Sequence, residues 1–294
     1  MDTRVEDGGR GAGARAAVAA AGLAALVAAL LGPAAFAGRA PDGPGGISRA
    51  DLLGVNFVES CLFSHRAPDD PIVSPGKPGA SHDHTFVGNR TTNAFSTFGS
   101  LRSGSTTCRR AEDTAAYWAP TLYQGAQPVL PLGATIYYRR ATLEAVHTFP
   151  NGLRMIAGDA TATSPQGGRV TFWSCGAALV APSATVPSCP EARGSLLRLH
   201  VRFPSCWNGR QLDSADHKSH MAYARSPSCP STHPFAVPQI TLIYTYPTRG
   251  GEGFSLASGG QYSAHADFFN AWNLGTLRKL VEDCLNALVH CGRV

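Results

Sequence analysis

Histidine and aspartate occur together in three short segments of this chain. Five of the ten histidines lie in these segments, and each segment also carries a carboxylate. The segments are His82-Asp83-His84, the loop 213–220 and His265-Ala266-Asp267. Imidazole nitrogens and carboxylate oxygens bind zinc and copper, and the same groups act as general acids and bases. The residue types therefore predict either a divalent-metal site, for zinc or copper, or a metal-free acid/base site.

The first segment favours the metal site if its backbone is extended. His82 and His84 would then project to one face of a strand and present two nitrogens to one ion. A stiff turn rich in proline and glycine, at residues 75–79, would precede that strand. The alternative is that both rings are structural and are hydrogen-bonded inside the protein.

The second segment places two histidines beside two carboxylates. The spacing of three residues between His217 and His220 predicts that they meet on one helical turn. Asp213 or Asp216 would orient a ring by accepting its N–H. The alternative is a polar loop held by its own hydrogen bonds.

The third segment lies at the start of a predicted helix. The helix dipole would disfavour the cationic form of His265, which suits a neutral ligand or base. Asp267 would be either a functional carboxylate or a capping residue of the first turn.

These patterns assign candidate residues to three roles. The catalytic candidates are Asp83, Asp213, Asp216, His217 and His220. The candidate metal ligands are His82, His84, His217 and His265. The candidate substrate-binding residues are Tyr117, Trp118, Trp207, Lys218 and Tyr223, although most large aromatic side chains are expected in the core. The chain contains neither a Gly-x-Ser-x-Gly elbow nor a His-Glu-x-x-His motif, and paired carboxylates for glycosidase chemistry are a further alternative.

The N-terminus has the pattern of an export signal. Arginines precede an apolar run at residues 16–31, and Ala35-Phe36-Ala37 resembles a cleavage site. The pattern predicts a signal peptide over residues 1–37, a flexible Gly/Pro tail over 38–46 and a single secreted domain over 47–294. We expect membrane attachment only if the leader is not cleaved.

All eight cysteines follow the predicted leader, and an even number in an exported chain favours four disulfides. Sequence alone does not fix the pairing. Short loops favour Cys175–Cys189, Cys206–Cys229 and Cys284–Cys291, which leaves Cys61–Cys108. A cysteine zinc site is less favoured because no Cys-x2-Cys spacing occurs.

The net charge of +5 is a mild excess without a basic block. This distribution argues against nucleic-acid binding and leaves a weak attraction to anionic cell-wall polymers. We expect a monomer.

The elements that must position these residues are predicted to be mainly strands. Short runs rich in β-formers lie at 134–138, 169–173, 196–203 and 239–246, and glycine and proline recur between them. Only residues 267–289 show helical spacing, with a break at Gly275 as an option. The predicted fold is a single β-sandwich or jelly-roll-like domain with one or two C-terminal helices, stapled by disulfides.

Several phrases of the chain resemble one known family along most of the predicted domain. They are Asp70–Val73, Pro78–Asn89, Tyr117–Pro120, Phe149–Met155, Phe203–Gly209 and Asp216–Met221. They are similar to the secreted family of domains of unknown function numbered nineteen ninety-six, found in fungi and actinobacteria. The resemblance implies no established activity. Members occur joined to WSC or lectin-like modules, which implies a location at cell walls or polysaccharides.

Together these patterns favour a secreted protein that acts on extracellular or cell-wall polysaccharide, as a hydrolase or lyase, through a His/Asp cleft that holds a divalent metal. One alternative is a non-catalytic cell-wall or glycan-binding module. Another is an extracellular metal-binding protein.

Overall fold

Strands separated by short turns make up most of the secondary structure. The computed structural model describes residues 47–176, 180–225 and 227–294, so the predicted signal peptide (1–37) and Gly/Pro tail (38–46) lie outside the described residues. The strands are β1 (Asn56–Ala67), β2 (His84–Gly88), β3 (Ala116–Pro120), β4 (Leu122–Gln124), β5 (Gln127–Val129), β6 (Gly133–Arg139), β7 (Arg154–Gly158), β8 (Thr171–Ser174), β9 (Arg198–Arg202), β10 (Cys206–Trp207), β11 (Met221–Ala222), β12 (Phe235–Ala236), β13 (Gln239–Thr245), β14 (Phe254–Leu256), β15 (His265–Phe269) and β16 (His290–Arg293). The helices are α1 (Phe98–Ser103) and α2 (Leu274–Leu280), and a π-helical turn (Val281–Asn286) continues α2. Single 3-10 turns lie at Ala50–Leu52 and Gln261–Ser263.

Ten strands form one sheet in the order β7-β15-β3-β2-β1-β6-β13-β9-β8, with β16 added alongside β1. The long strand β1 divides this sheet, because residues 56–62 pair with β6 and residues 63–67 pair with β2. We call the strands from β1 to β8, with β16, half A, and the strands from β1 to β7, through β2, half B. The β1–β2 register shifts between Phe63 and His65.

The inner faces of the two halves pack against each other. The hydroxyls of Tyr117 (β3, half B) and Tyr138 (β6, half A) are hydrogen-bonded in the core, and the Tyr244 hydroxyl (half A) donates to the Thr85 carbonyl (half B). The prediction of a mainly β, sandwich-like domain is confirmed.

The two halves differ in how their outer faces are covered. Strands β6 and β9 of half A alternate between buried and half-exposed residues, because only one of their faces meets the core. In half B, by contrast, β2, β3 and β15 are buried at every position. A second hydrophobic cluster covers their outer face and includes Ile72, Phe86, Leu101, Trp118 and Phe269.

The predicted helix over residues 267–289 is wrong at its N-terminal end. Residues 265–269 form β15, and α2 begins at Leu274, capped by the Asn273 side chain, which accepts from the backbone N–H of Thr276. The predicted helix rested on apolar residues such as Phe268, Trp272 and Leu277 near helical spacing, whereas β15 is buried on both faces and shows no alternation of buried and exposed positions. Gly275 lies inside α2 and does not interrupt it.

The four disulfides join Cys61–Cys108, Cys175–Cys189, Cys206–Cys229 and Cys284–Cys291. The pairing favoured by short loops is therefore confirmed. In the part of the chain that the structure describes, no helix is both long and apolar enough to cross a membrane.

Candidate metal centre

A pocket of about 430 Å³ opens on the outer face of half B. Segments of the loops 70–82, 156–161 and 216–218 form its walls together with the start of β15. Its polar lining includes Asp70, His82, Asp159, Asp216, His217, Lys218, His265 and Asp267. Parts of all three histidine segments therefore meet at one place.

The strand pattern explains how the imidazoles converge. Side chains two residues apart on a strand share a face, so His84 lies on the same side of β2 as the buried Phe86. On β15, His265 and Asp267 likewise share the face of Phe269. Only β3 separates β2 from β15, which brings the two histidines to the same part of the outer face.

Three imidazole rings form a compact cluster at this point. The ring of His82 lies 4.2 Å from that of His84 and 5.0 Å from that of His265, measured between ring centres. The Nε2 atoms of His82 and His265 are 3.2 Å apart. Ligands bound at 2.0–2.1 Å around a tetrahedral zinc ion lie about 3.3 Å apart, so this spacing suits a shared ion.

Backbone carbonyls fix the tautomers of two of these rings. His84 Nδ1 lies 3.0 Å from the Asp69 carbonyl oxygen, and His265 Nδ1 lies 2.9 Å from the Ser263 carbonyl oxygen. A carbonyl only accepts, so each Nδ1 carries the proton and donates, and each Nε2 retains its lone pair. His84 Nε2 is buried and has no hydrogen-bond partner within the described residues. Such a second-shell arrangement is typical of histidines that bind a metal.

The environment favours the neutral form of all three rings. Burial, together with the neighbouring rings of His82 and His265, holds the pKa of His84 well below its usual range. Burial also lowers the pKa of His265 to about 4 and lowers the pKa of His82. Neutral imidazole is the form that coordinates metal.

Two buried carboxylates lie beside the rings. Asp70, Asp267 and His84 also form a group whose potential ligand atoms lie within 4.8 Å of one another. Asp267 Oδ2 has no hydrogen-bond partner in the described part of the chain and lies 4.0 Å from His265 Nε2. Burial raises the pKa of Asp267 well above its usual range, and the nearby Asp70 carboxylate raises it further. A cation placed between the rings and these carboxylates would give a partner to both His84 Nε2 and Asp267 Oδ2.

The loop 213–220 forms one rim of the pocket. It is not helical, so the prediction that His217 and His220 share a helical turn is wrong. Instead, Asp216 Oδ1 accepts from the backbone N–H groups of Lys218 and Ser219 and from the hydroxyls of Ser214 and Ser219. These bonds lower the pKa of Asp216 and close the turn.

His217 and Lys218 project from this turn into the pocket lining. His217 Nδ1 lies 2.9 Å from Asp213 Oδ1, and its backbone has a φ of 58°, a left-handed conformation that is uncommon outside glycine. Lys218 Nζ donates to the Gly158 carbonyl. His217 is not part of the cluster whose nitrogens lie within 4.8 Å of one another.

Other predicted site residues are used elsewhere. His220 is completely buried, with Nδ1 bonded to Ser214 and Nε2 to the Arg154 carbonyl. Asp83 accepts from Arg66 and Tyr123 and does not line the pocket. Asp213 supports His217 and also pairs with Arg154.

The predicted sugar-binding aromatic residues lie away from the pocket. Tyr117 and Trp118 are completely buried on β3, so the prediction that they face a ligand is wrong. Trp207 donates to the Gln211 carbonyl, and Tyr223, 39% exposed, donates to the Arg202 carbonyl. Of the five predicted substrate-binding residues, only Lys218 lines the pocket.

The structure adds residues that the three segments did not reveal. Asp70 and Asp159 carry carboxylates into the lining, and Ser81 and Thr161 carry hydroxyls. Asp70 Oδ1 accepts from the backbone N–H groups of Ile72 and Val73, which fixes its side chain. Asp70 stands in an Asp-Pro dipeptide, whose ordinary meaning is a turn, so its type and position gave no separate signal.

The comparisons with known proteins identify a family and no activity. No curated protein and no solved structure matches the chain significantly. The model of the family described as Domain of unknown function (DUF1996) matches residues 70–272, about two thirds of the chain, and this span includes every residue of the imidazole cluster. The chain therefore belongs to the DUF1996 family.

Proposed function

We propose that the pocket binds one divalent metal ion, zinc or copper, through the Nε2 atoms of His82, His84 and His265. The main support is that His84 and His265 donate through Nδ1 to backbone carbonyls, so that each Nε2 carries a lone pair. His84 Nε2 is also buried without a partner among the described residues. An unpartnered buried polar atom costs about 1–3 kcal/mol, and coordination of an ion would remove that cost.

Asp70 and Asp267 complete the proposed site. Either carboxylate can supply a further ligand or accept a proton, because both lie beside His84. A divalent ion in this place supplies polarisation of a substrate oxygen and an acidic water near neutral pH. The fully buried Asp267 also supplies negative charge that compensates the ion.

The substrate we propose is an extracellular polysaccharide, cleaved by hydrolysis or elimination. The supporting feature is the open, polar wall beside the cluster, where Asp159, Thr161, Asp216 and Lys218 can bind hydroxyl groups. The short turn closed by Asp216 holds Lys218 and His217 at the rim. A volume of about 430 Å³ suits a few sugar residues of a longer chain.

Secretion is part of the same proposal. Four disulfides support an oxidising compartment, and the residue pattern of the leader supports export. Expression of the full chain in a secreting host, with N-terminal sequencing of the product, tests cleavage after Ala37.

Metal analysis of the purified protein is the first test of the site. We expect about one zinc or copper ion per chain, removed by a chelator and restored by the same ion. A protein that takes up neither ion at stoichiometric levels after dialysis would overturn the metal proposal.

Turnover of polysaccharides is the second test. The metal-loaded protein, the chelated protein and a Lys218→Ala variant are incubated with a panel of wall polysaccharides, and new reducing ends or unsaturated products are measured. We expect turnover only with metal, and weaker turnover for Lys218→Ala with an unchanged metal content. Metal binding without turnover would instead leave an extracellular metal-binding protein.

A further inference from the structure

The outer face of half A carries three arginines and a histidine, and none of the four lines the pocket. Arg139 lies on β6, and Arg198, His200 and Arg202 follow one another at every second position of β9. All four are half-exposed, because their strands turn the opposite side chains into the core. We call these four residues the arginine face.

The registers bring these side chains to one surface. Strand β13 lies between β6 and β9, with Thr241 opposite both Tyr137 and Arg202. The Arg139 guanidinium carbon lies 4.5 Å from the centre of the Tyr137 ring. Tyr137 and Arg202 lie in the same cross-strand row, so the Arg139 guanidinium leans towards Arg202. Arg198 and Arg202 are four residues apart on one strand, or about 13 Å.

Within residues 47–176, 180–225 and 227–294, no carboxylate forms an ion pair with any of the three arginines. Arg198 Nε is buried and has no partner in that part of the chain. Burial, and then the positive charges of Arg198, Arg202 and Arg139, lower the pKa of His200 to about 4. The positive potential of this surface is therefore not neutralised locally.

Uncharged groups between the cations suit a sugar polymer. The ring of Phe172 on β8 is stacked on His200, with 4.2 Å between ring centres. Gln239, Ile243 and Thr245 on β13 and Ser174 on β8 complete the surface with uncharged side chains. The surface is the outer face of four neighbouring strands, β6, β13, β9 and β8, along which an extended chain can lie.

We propose that the arginine face binds an acidic polysaccharide by pairing its guanidinium groups with uronate carboxylates. Guanidinium and carboxylate form bidentate, charge-assisted hydrogen bonds. The cations are spaced widely, as in a polymer with at most one carboxylate per sugar ring. Double-stranded nucleic acid carries a charge about every 1.7 Å and would need a denser set of cations.

This surface lies on the opposite side of the sandwich from the pocket, since one occupies the outer face of half A and the other that of half B. Binding here holds the protein on its polymer and leaves the pocket open. The proposal is independent of the metal and of any turnover.

Affinity electrophoresis of the full chain tests the proposal. The gels contain polygalacturonate, neutral dextran, inorganic polyphosphate or double-stranded DNA. The test variant is Arg139→Gln/Arg198→Gln/Arg202→Gln. The control variant is Arg49→Gln/Arg109→Gln/Arg278→Gln, which removes the same charge from exposed arginines elsewhere. Melting temperature is measured for both.

We expect polygalacturonate to retard the wild type and the control alike, and the test variant to bind at least about tenfold more weakly. Salt should weaken the wild-type interaction. If the triple variant does not fold, the single variants Arg139→Gln, Arg198→Gln and Arg202→Gln should each bind about two- to fivefold more weakly.

Three results would overturn the proposal. One is equal retardation of the test and control variants, and another is the absence of any retardation by polygalacturonate. The third is retardation by polyphosphate or DNA that equals or exceeds that by polygalacturonate, since the partner would then be another class of polyanion.

Discussion

The imidazole cluster and the loop 213–220 contain the same residue types and differ in what their ring nitrogens do. In the cluster, His84 and His265 each donate through Nδ1 to a backbone carbonyl, which leaves a lone pair on Nε2. His84 Nε2 has no partner within the described residues, and His265 Nε2 lies 3.2 Å from His82 Nε2. In the loop, both ring nitrogens of His220 are hydrogen-bonded within the protein, and His217 Nδ1 is hydrogen-bonded to Asp213. Both regions are rich in histidine and aspartate, yet among the described residues only the first contains buried ring and carboxylate atoms without a hydrogen-bond partner.

This difference marks the cluster as a binding site and the loop as a structural hydrogen-bond network. Buried polar groups are normally hydrogen-bonded, so a buried nitrogen and a buried carboxylate oxygen that both lack partners point to a missing cation. The hydrogen bonds of His220 instead fix the position of the loop that carries Lys218. The following experiments test this contrast.

The largest effect is expected for His82→Ala. The side chain of His82 is half-buried and makes its one hydrogen-bond contact, within the described residues, with His265. Its removal takes away one proposed ligand and should lower zinc or copper affinity more than about 100-fold. Titration calorimetry measures the affinity.

His233→Ala is the matched control for that loss. His233 binds a carbonyl at the surface and lies outside the cluster, so its variant should keep full affinity. Equal affinity in both variants would remove His82 from the site.

Asp267→Asn should separate metal binding from folding. Burial favours the neutral form of this carboxyl without metal, and asparagine is neutral and of similar shape. We therefore expect an unchanged melting temperature for the metal-free variant, together with metal affinity lowered about 10- to 100-fold. A large loss of metal-free stability would show that Asp267 is structural.

His220→Ala should show the reverse pattern. The variant loses bonds to Ser214 and to the Arg154 carbonyl in a completely buried place. The free energy of unfolding should fall by about 1–3 kcal/mol, while metal affinity should change less than about twofold. Chemical denaturation measures the first quantity and calorimetry the second. Loss of metal with unchanged stability would contradict the contrast.

The smallest effect concerns pH. The pKa of His200 is lowered from 6.5 to about 4 by burial and by three arginines. The unfolded chain therefore binds this proton first as pH falls, so stability is lost between pH 6.5 and pH 4. His200→Gln should flatten that part of the curve by about 1–2 kcal/mol, allowing for partial exposure. Denaturation midpoints across this range measure it, and identical curves would show that another group titrates.

The strands visible in the sequence were those with one solvent-facing side. β6, β9 and β13 follow the predicted runs closely, because alternation survives when only one face is buried. The short-loop disulfides were also predictable, because nearby cysteines close the smallest loops.

The sequence concealed the central strands of half B. There, β3 and β15 are buried on both faces, so buried and exposed positions do not alternate along them. This led to a predicted helix at Asp267 and to a ligand-facing role for Tyr117 and Trp118. The residue types led to the prediction that His82, His84 and His265 share a site. That this cluster, and not the loop 213–220, holds free ligand atoms depends on hydrogen bonds to backbone carbonyls, which residue spacing does not reveal.

Gly158 at the end of β7 shows how narrowly the ring of His265 is located. It pairs with His265 across the strands at a φ of 87°, and a Cβ atom there would lie 2.5 Å from the Ala264 carbonyl oxygen and 2.9 Å from the His265 Cα. Any side chain at this position would push β15 away from β7. The same residue accepts from Lys218 through its carbonyl. A residue without a side chain thus fixes the spacing between β15, which carries His265, and Lys218 at the rim of the pocket.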